Sequence, residues 1–136
     1  MAGVPIKLNP EVKSLWTEAL RSGEHTQGEN RLHYVTGEKC CLGVLCHLYA
    51  QKFPADIVID TNDGAWGTTI TYDGELAFPP NKVMIWAGLT PTPDADGVTA
   101  PGEVDRYNDA MIHLSVMNDV GGKSFAVIAD YIEEHL

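Results

Sequence analysis

Cysteine and histidine supply most of the reactive chemistry in this chain. Cys40, Cys41 and Cys46 fall within seven residues, and five histidines are spread along the sequence. A thiol in the first turn of a helix feels the positive end of the helix dipole, which favours the thiolate and makes a nucleophile. Cys40 and Cys41 are expected in such a turn. A cysteine hydrolase or transferase also needs a base and an orienting group. His113 or His33 with Asn118 or Asp119 supply these by residue type, and Gln27 supplies a donor for an oxyanion. The plainer reading is core packing, because buried cysteine behaves as a small hydrophobe, and Cys46, a turn and a half further on, fits only that reading.

Other chemistries fail on spacing. Cys40, Cys41, Cys46 and His47 carry zinc-ligand side chains, but neighbouring positions on a helix point about 100° apart. Convergence on one ion would therefore require His25 or His33 as well, and no metal is expected. Gly122-Lys123-Ser124 resembles the end of a phosphate-binding loop, yet Met117 stands where that motif needs its first glycine. A turn with Ser124 capping the next helix accounts for it. Asp60-Thr-Asn-Asp-Gly64 and Asp94-Ala-Asp-Gly97 bring their glycines too early for a calcium loop and read as turns.

Two binding surfaces remain. Trp66, between Gly64 and Gly67, and the acids Asp94 and Asp96 suit a protein partner with a basic face. Arg21, Arg31 and Lys39, walled by Trp16, Tyr34 or Trp86 and joined by Gln27, would suit a small nucleotide if they converge.

The elements that must position these residues follow from local signals. Asn9 as cap, Pro10 in the first turn and Gly23 past the end predict a helix over Pro10–Ser22. Its apolar stripe is Val12, Leu15, Trp16, Ala19 and Leu20. Arg31–Val35 is strand-like and ends at the Thr36-Gly37 turn. Lys39–Gln51 is apolar on nearly every side and reads as a central helix. Gly43 within it costs about 1 kcal/mol relative to alanine, so a backbone or a large ring, Trp16 or Trp86, is expected against it.

Asp56–Asp60 and Thr68–Tyr72 predict a hairpin whose long tip, Thr61–Gly67, turns at Asp63-Gly64. A short helix starting at Pro79-Pro80-Asn81 should end at Ala87 before Gly88. Residues 89–105 read as a surface loop. Helices over Arg106–Met117 and Phe125–Glu134, broken at Asn118–Gly122, complete an α+β class: four to five helices around a small antiparallel sheet or hairpin.

The chain has 136 residues, 44% of them apolar, which suffices for one domain with an ordinary core. Nine Lys and Arg against 19 Asp and Glu give a formal charge of −10. Such a field disfavours nonspecific nucleic-acid binding and anionic membrane surfaces, and it suits a basic partner. The N-terminus carries no export signal, no apolar run is long enough to span a bilayer, and an odd count of clustered cysteines suits a reducing compartment. The cytoplasm and free thiols are expected.

Trp16-Thr-Glu-Ala-Leu-Arg-Ser-Gly23 with Gln27-Gly28, then Cys40-Cys-Leu-Gly-Val-Leu-Cys46, then Trp86-Ala-Gly-Leu89, then Met117-Asn-Asp119 with Ser124-Phe125 and Ile128-Ala-Asp130 make up four blocks. Together they resemble a family of small proteins encoded by tailed bacteriophages. That resemblance implies an accessory protein acting in the cytoplasm of a bacterial host. It brings no activity and no catalytic residue. With no complete catalytic or cofactor motif, the expectation is a cofactor-free binding protein that modulates or inhibits a host component. A thiol-dependent enzyme is the alternative, and a sponge for a small nucleotide signal is a third reading.

Overall fold

The computed structural model describes residues 8–65, 67–89 and 112–136. Helix α1 spans Pro10–Arg21, with the Asn9 side chain accepting from the Glu11 N–H and Gly23 taking a positive φ of 77° just past its end. Both ends agree with the sequence signals to within a residue. The buried stripe differs from expectation. Val12, Trp16 and Leu20 are buried, but Leu15 is 36% exposed and Thr17 is buried in its place. Thr17 tolerates this because its hydroxyl donates to the Lys13 carbonyl at 2.9 Å.

Helix α2 spans Cys41–Lys52 and runs through the centre, burying Cys41 to Cys46 in an unbroken run. It starts two residues later than the sequence suggests, since Lys39 is held in extended backbone. Lys39 N–H donates to the Thr26 carbonyl at 2.9 Å, and its own carbonyl accepts from Gly28 at 2.7 Å. The neighbour expected at Gly43 is a backbone and neither tryptophan ring. A Cβ placed there would sit 1.6 Å from the Leu32 carbonyl oxygen.

The sheet is a two-stranded antiparallel hairpin of β1 (Ile59–Gly64) and β2 (Gly67–Tyr72), in a register that pairs Ile59 with Tyr72 and Gly64 with Gly67. Asp63 and Gly64, expected to turn, are in β1 opposite Thr68 and Gly67. All of β1 is exposed, whereas β2 turns Thr69, Thr71 and Tyr72 inward. On the other side of β2 the strand-like segment adds two backbone bonds, Val35 N–H to Thr68 and Ile70 N–H to His33. The core thus reaches Leu32, which is completely buried.

Helix α3 (Asn81–Ala87) ends at Gly88, whose φ is +83°. Leu89 is not part of a surface loop as expected. It is fully buried, with its N–H on the Met84 carbonyl, and residues 90–105 lie outside the described residues. Helix α4 is described over residues 112–119, so Asn118 and Asp119, expected in a break, are helical. Ser124 then caps α5 (Phe125–His135) by accepting from Val127 N–H. Phe125, Ile128, Ala129 and Ile132 are its buried face, which packs on α1. Among the described residues, five helices and one hairpin make the α+β arrangement expected from the sequence. Among the described residues no helix is long and apolar enough to cross a membrane.

Candidate functional site

The α2 N-terminus brings Gln27, Cys41 and Asn118 together, three of the residues singled out for thiol chemistry. The Asn118 side chain is nearly fully buried and makes four bonds. Its oxygen accepts from the Cys41 N–H at 3.2 Å and from Gln27 Nε2 at 2.9 Å, while its amide donates to the Gly28 carbonyl and to the Asp119 carboxylate, each at 2.8 Å. Gln27 also donates to the Lys123 carbonyl at 2.7 Å and accepts from Phe125 N–H at 3.1 Å. On the far side, the Trp16 indole donates to the Cys41 carbonyl at 2.9 Å. The network joins α1, α2, α4, α5 and the loop after α1. It grips the Cys41 backbone and leaves the thiol against the Leu114 carbonyl at 3.7 Å.

All three thiols are free and buried. Cys40 is the residue before the first turn and not part of it, so one of the two expected first-turn thiols is displaced. Burial pushes its thiol up to about 11, although the nearby Gly43 and Leu42 amides favour the thiolate. Burial raises Cys41 and Cys46 as well, and the neighbouring Cys40 adds to it in both. Desolvation therefore outweighs the backbone amides that favour the thiolate at every cysteine. Neither candidate base is hydrogen-bonded to a thiol. His113 is exposed on α4 with its ring on Tyr131, 4.9 Å between centroids, and His33 Nδ1 is 2.8 Å from the Tyr72 hydroxyl.

The nucleotide-binding set does not converge. Arg21 spans to α5, meeting Glu133 at 2.6 Å and Asp130 at 2.7 Å. It lines an open groove of about 440 Å³ with Lys13 and Thr17, and Lys13 Nζ is itself on the Glu133 carbonyl at 3.0 Å. Trp16 is completely buried and cannot receive a base. Trp86 stacks edge-on against Tyr49 and Phe53. Tyr34 donates to the Glu29 carbonyl at 2.6 Å, and Arg31 Nη1 to that of Asn30 at 2.8 Å. Trp66, Asp94 and Asp96 lie outside the described residues.

One cluster was not foreseen as a unit. His25, His33 and His47 come together from the loop, the strand-like segment and α2, with ring centroids 5.3 Å apart for His25 and His47 and 6.4 Å for His33 and His47. Beside them is Lys39, only 8% exposed. Extended backbone pairing with both Gln27 and His33 sets Lys39 between the segments that carry His25 and His33. Among the described residues its ammonium has one acceptor, the Gly37 carbonyl at 3.3 Å. Burial and the lysine charge lower all three imidazoles, His33 to about 4. Among the described residues no group of histidine, cysteine and acid side chains is arranged to hold a metal ion.

Sequence spacing carries no motif for this cluster. The available signal was glycine: a Cβ at Gly28 would sit 2.8 Å from the Glu38 Cβ, which marks the close approach of the two segments flanking Lys39. No curated protein and no solved structure matches the chain. The family described as Domain of unknown function (DUF8296) matches residues 8–136, and the chain belongs to that family.

Proposed function

We propose that this chain is a phage-encoded accessory protein that acts by binding a component of the bacterial host in its cytoplasm, without turning over a substrate. The observation that carries the reading is the sealed α2 N-terminus. The residues that would serve thiol catalysis are present, but Asn118 and Gln27 hold backbone groups, the thiols are buried and raised, and His33 and His113 are engaged by Tyr72 and Tyr131. Elaborate fixing of an inert thiol suits a rigid scaffold better than a nucleophile. The net charge of −10 fits a partner with a basic face, and the four sequence blocks that resemble tailed-phage proteins support the origin.

Native-state alkylation tests the choice. Iodoacetamide near neutral pH should modify Cys40 and Cys41 only as fast as the fold opens, so that the rate rises with added denaturant in step with unfolding. Rapid labelling of either thiol in the native state, with loss of partner capture on labelling, would overturn the binding reading in favour of a thiol hydrolase or transferase. Capture from host lysate by a variant carrying Cys40→Ala and Cys41→Ala should match the parent chain.

A further inference from the structure

We propose that Lys39, His25, His33 and His47 form a binding site for a tetrahedral oxyanion of the phosphate class. The starting point is an imbalance of charge. In a protein of net charge −10, Lys39 as a whole residue is only 8% exposed, yet no carboxylate lies within 4.0 Å of its ammonium among the described residues. The other described ion pairs show that acids are at hand: Lys52 meets Glu11, Lys82 meets Asp73, and Arg21 meets two acids. Lys39 keeps a single long bond to the Gly37 carbonyl, although an ammonium has three protons to give.

The surrounding donors complete the argument. Neither ring nitrogen of His25 or His47 has a hydrogen-bond partner among the described residues, and no buried side-chain nitrogen is left orphaned, so these nitrogens meet solvent. His33 is anchored through Nδ1 to Tyr72, which fixes its ring and leaves Nε2 for a ligand. One ammonium and three imidazoles are thus gathered in one region, more donors than a carboxylate's two oxygens can satisfy and a match for the four oxygens of phosphate or sulfate.

The charged groups that act on the cluster are few. Glu24 acts on His25 and Glu38 on His33. Glu38 is engaged by the Thr36 hydroxyl. Tyr72 is neutral at physiological pH, since burial raises its hydroxyl. An anion seated beside Lys39 would draw protons onto the imidazoles, so binding takes up protons and strengthens on mild acidification.

The site differs from the Arg21 groove and does not depend on whether the chain has a protein partner. Inorganic phosphate, with ionic strength held constant by sodium chloride, should move the NMR signals of the His25, His33 and His47 rings saturably at millimolar concentration. Those of exposed His113 and His135 should stay in place. Sulfate, whose charge is constant over this range, should compete and bind more tightly at pH 6 than at pH 7.5. Lys39→Met should weaken binding by about tenfold or more. Because the backbone of Lys39 does the bridging, this variant is expected to fold; His47→Gln, at a part-exposed position of α2, provides the same readout if it does not. Absence of saturation at tens of millimolar phosphate, equal movement of all five histidines, or unchanged affinity in both variants would overturn the proposal.

Discussion

At the scale of single residues, two positions hold the centre of the molecule by opposite means. Gly43 acts by lacking a side chain, so that the Leu32 carbonyl can lie against the helix and accept from the Cys40 N–H at 3.3 Å. Gly43→Ala would force backbone against backbone, and no rotamer relieves that. A loss of about 3 kcal/mol or more is expected, against the slight gain that alanine brings at an unobstructed helical site. Urea unfolding monitored by circular dichroism measures it. Asn118 acts by making four bonds. Asn118→Leu keeps the volume but leaves the Cys41 N–H and the Gly28 carbonyl buried without partners, a cost of about 2–4 kcal/mol in the same assay. A change under 0.5 kcal/mol, within the ordinary surface range, would mean that water replaces the side chain.

The element scale explains what could be read beforehand. Helices α1 and α5 were legible because their signals are local: Asn9, Pro10 and Gly23 bound one, and Ser124 with the stripe Phe125, Ile128 and Ile132 defines the other. The turn at Asp63-Gly64 was misread because strand pairing continues to Gly64 and overrides a strong dipeptide preference. Lys39 was misread for a related reason. Its neighbours up to Gln51 look helical, but bonds to Thr26 and Gly28, made by a loop, keep it extended. The histidine cluster rests on that same long-range pairing, and no local pattern encodes it. The exposed strand β1 is protected from pairing with other chains by its acids, since Asp60 takes the Thr61 N–H at 2.8 Å.

The segment carrying Lys39 also sets the response to acid. His33 has its folded value lowered to about 4, below the roughly 6.5 of an unfolded chain, and His25 and His47 are lowered too. Both states are neutral at these sites above that range. As pH falls through 6.5 the unfolded chain takes up protons first, so stability is lost progressively down to about pH 4. The carboxylates Asp73 and Glu133, held low by Lys82 and Arg21, lose their contributions only below the usual carboxylate range. The melting temperature should therefore begin to drop between pH 6.5 and 5, and His33→Gln should flatten that part of the profile. A parent profile flat down to pH 5 would contradict the assignment.

For the molecule as a whole, the excess of acids dominates. Ten uncompensated negative charges repel one another across a small surface, while the ion pairs of Arg21 with Asp130 and Glu133 and of Lys52 with Glu11 are largely exposed and individually weak. Raising ionic strength from about 10 mM, where the screening length is about 30 Å, to about 150 mM, where it is about 8 Å, should raise the melting temperature. A fall would mean that pairs such as Arg21 with Asp130 and Glu133 outweigh the repulsion.

The order in which the chain is made has its own consequence. Helix α1 packs chiefly on α5, and Arg21 meets an acid 112 residues further along. At about 5–20 residues per second, a ribosome needs roughly 6–22 s to bridge that interval. During that time Val12, Trp16 and Leu20 have no α5 to cover them. The pairing of α1 with α5 therefore closes only after every element between them has been made.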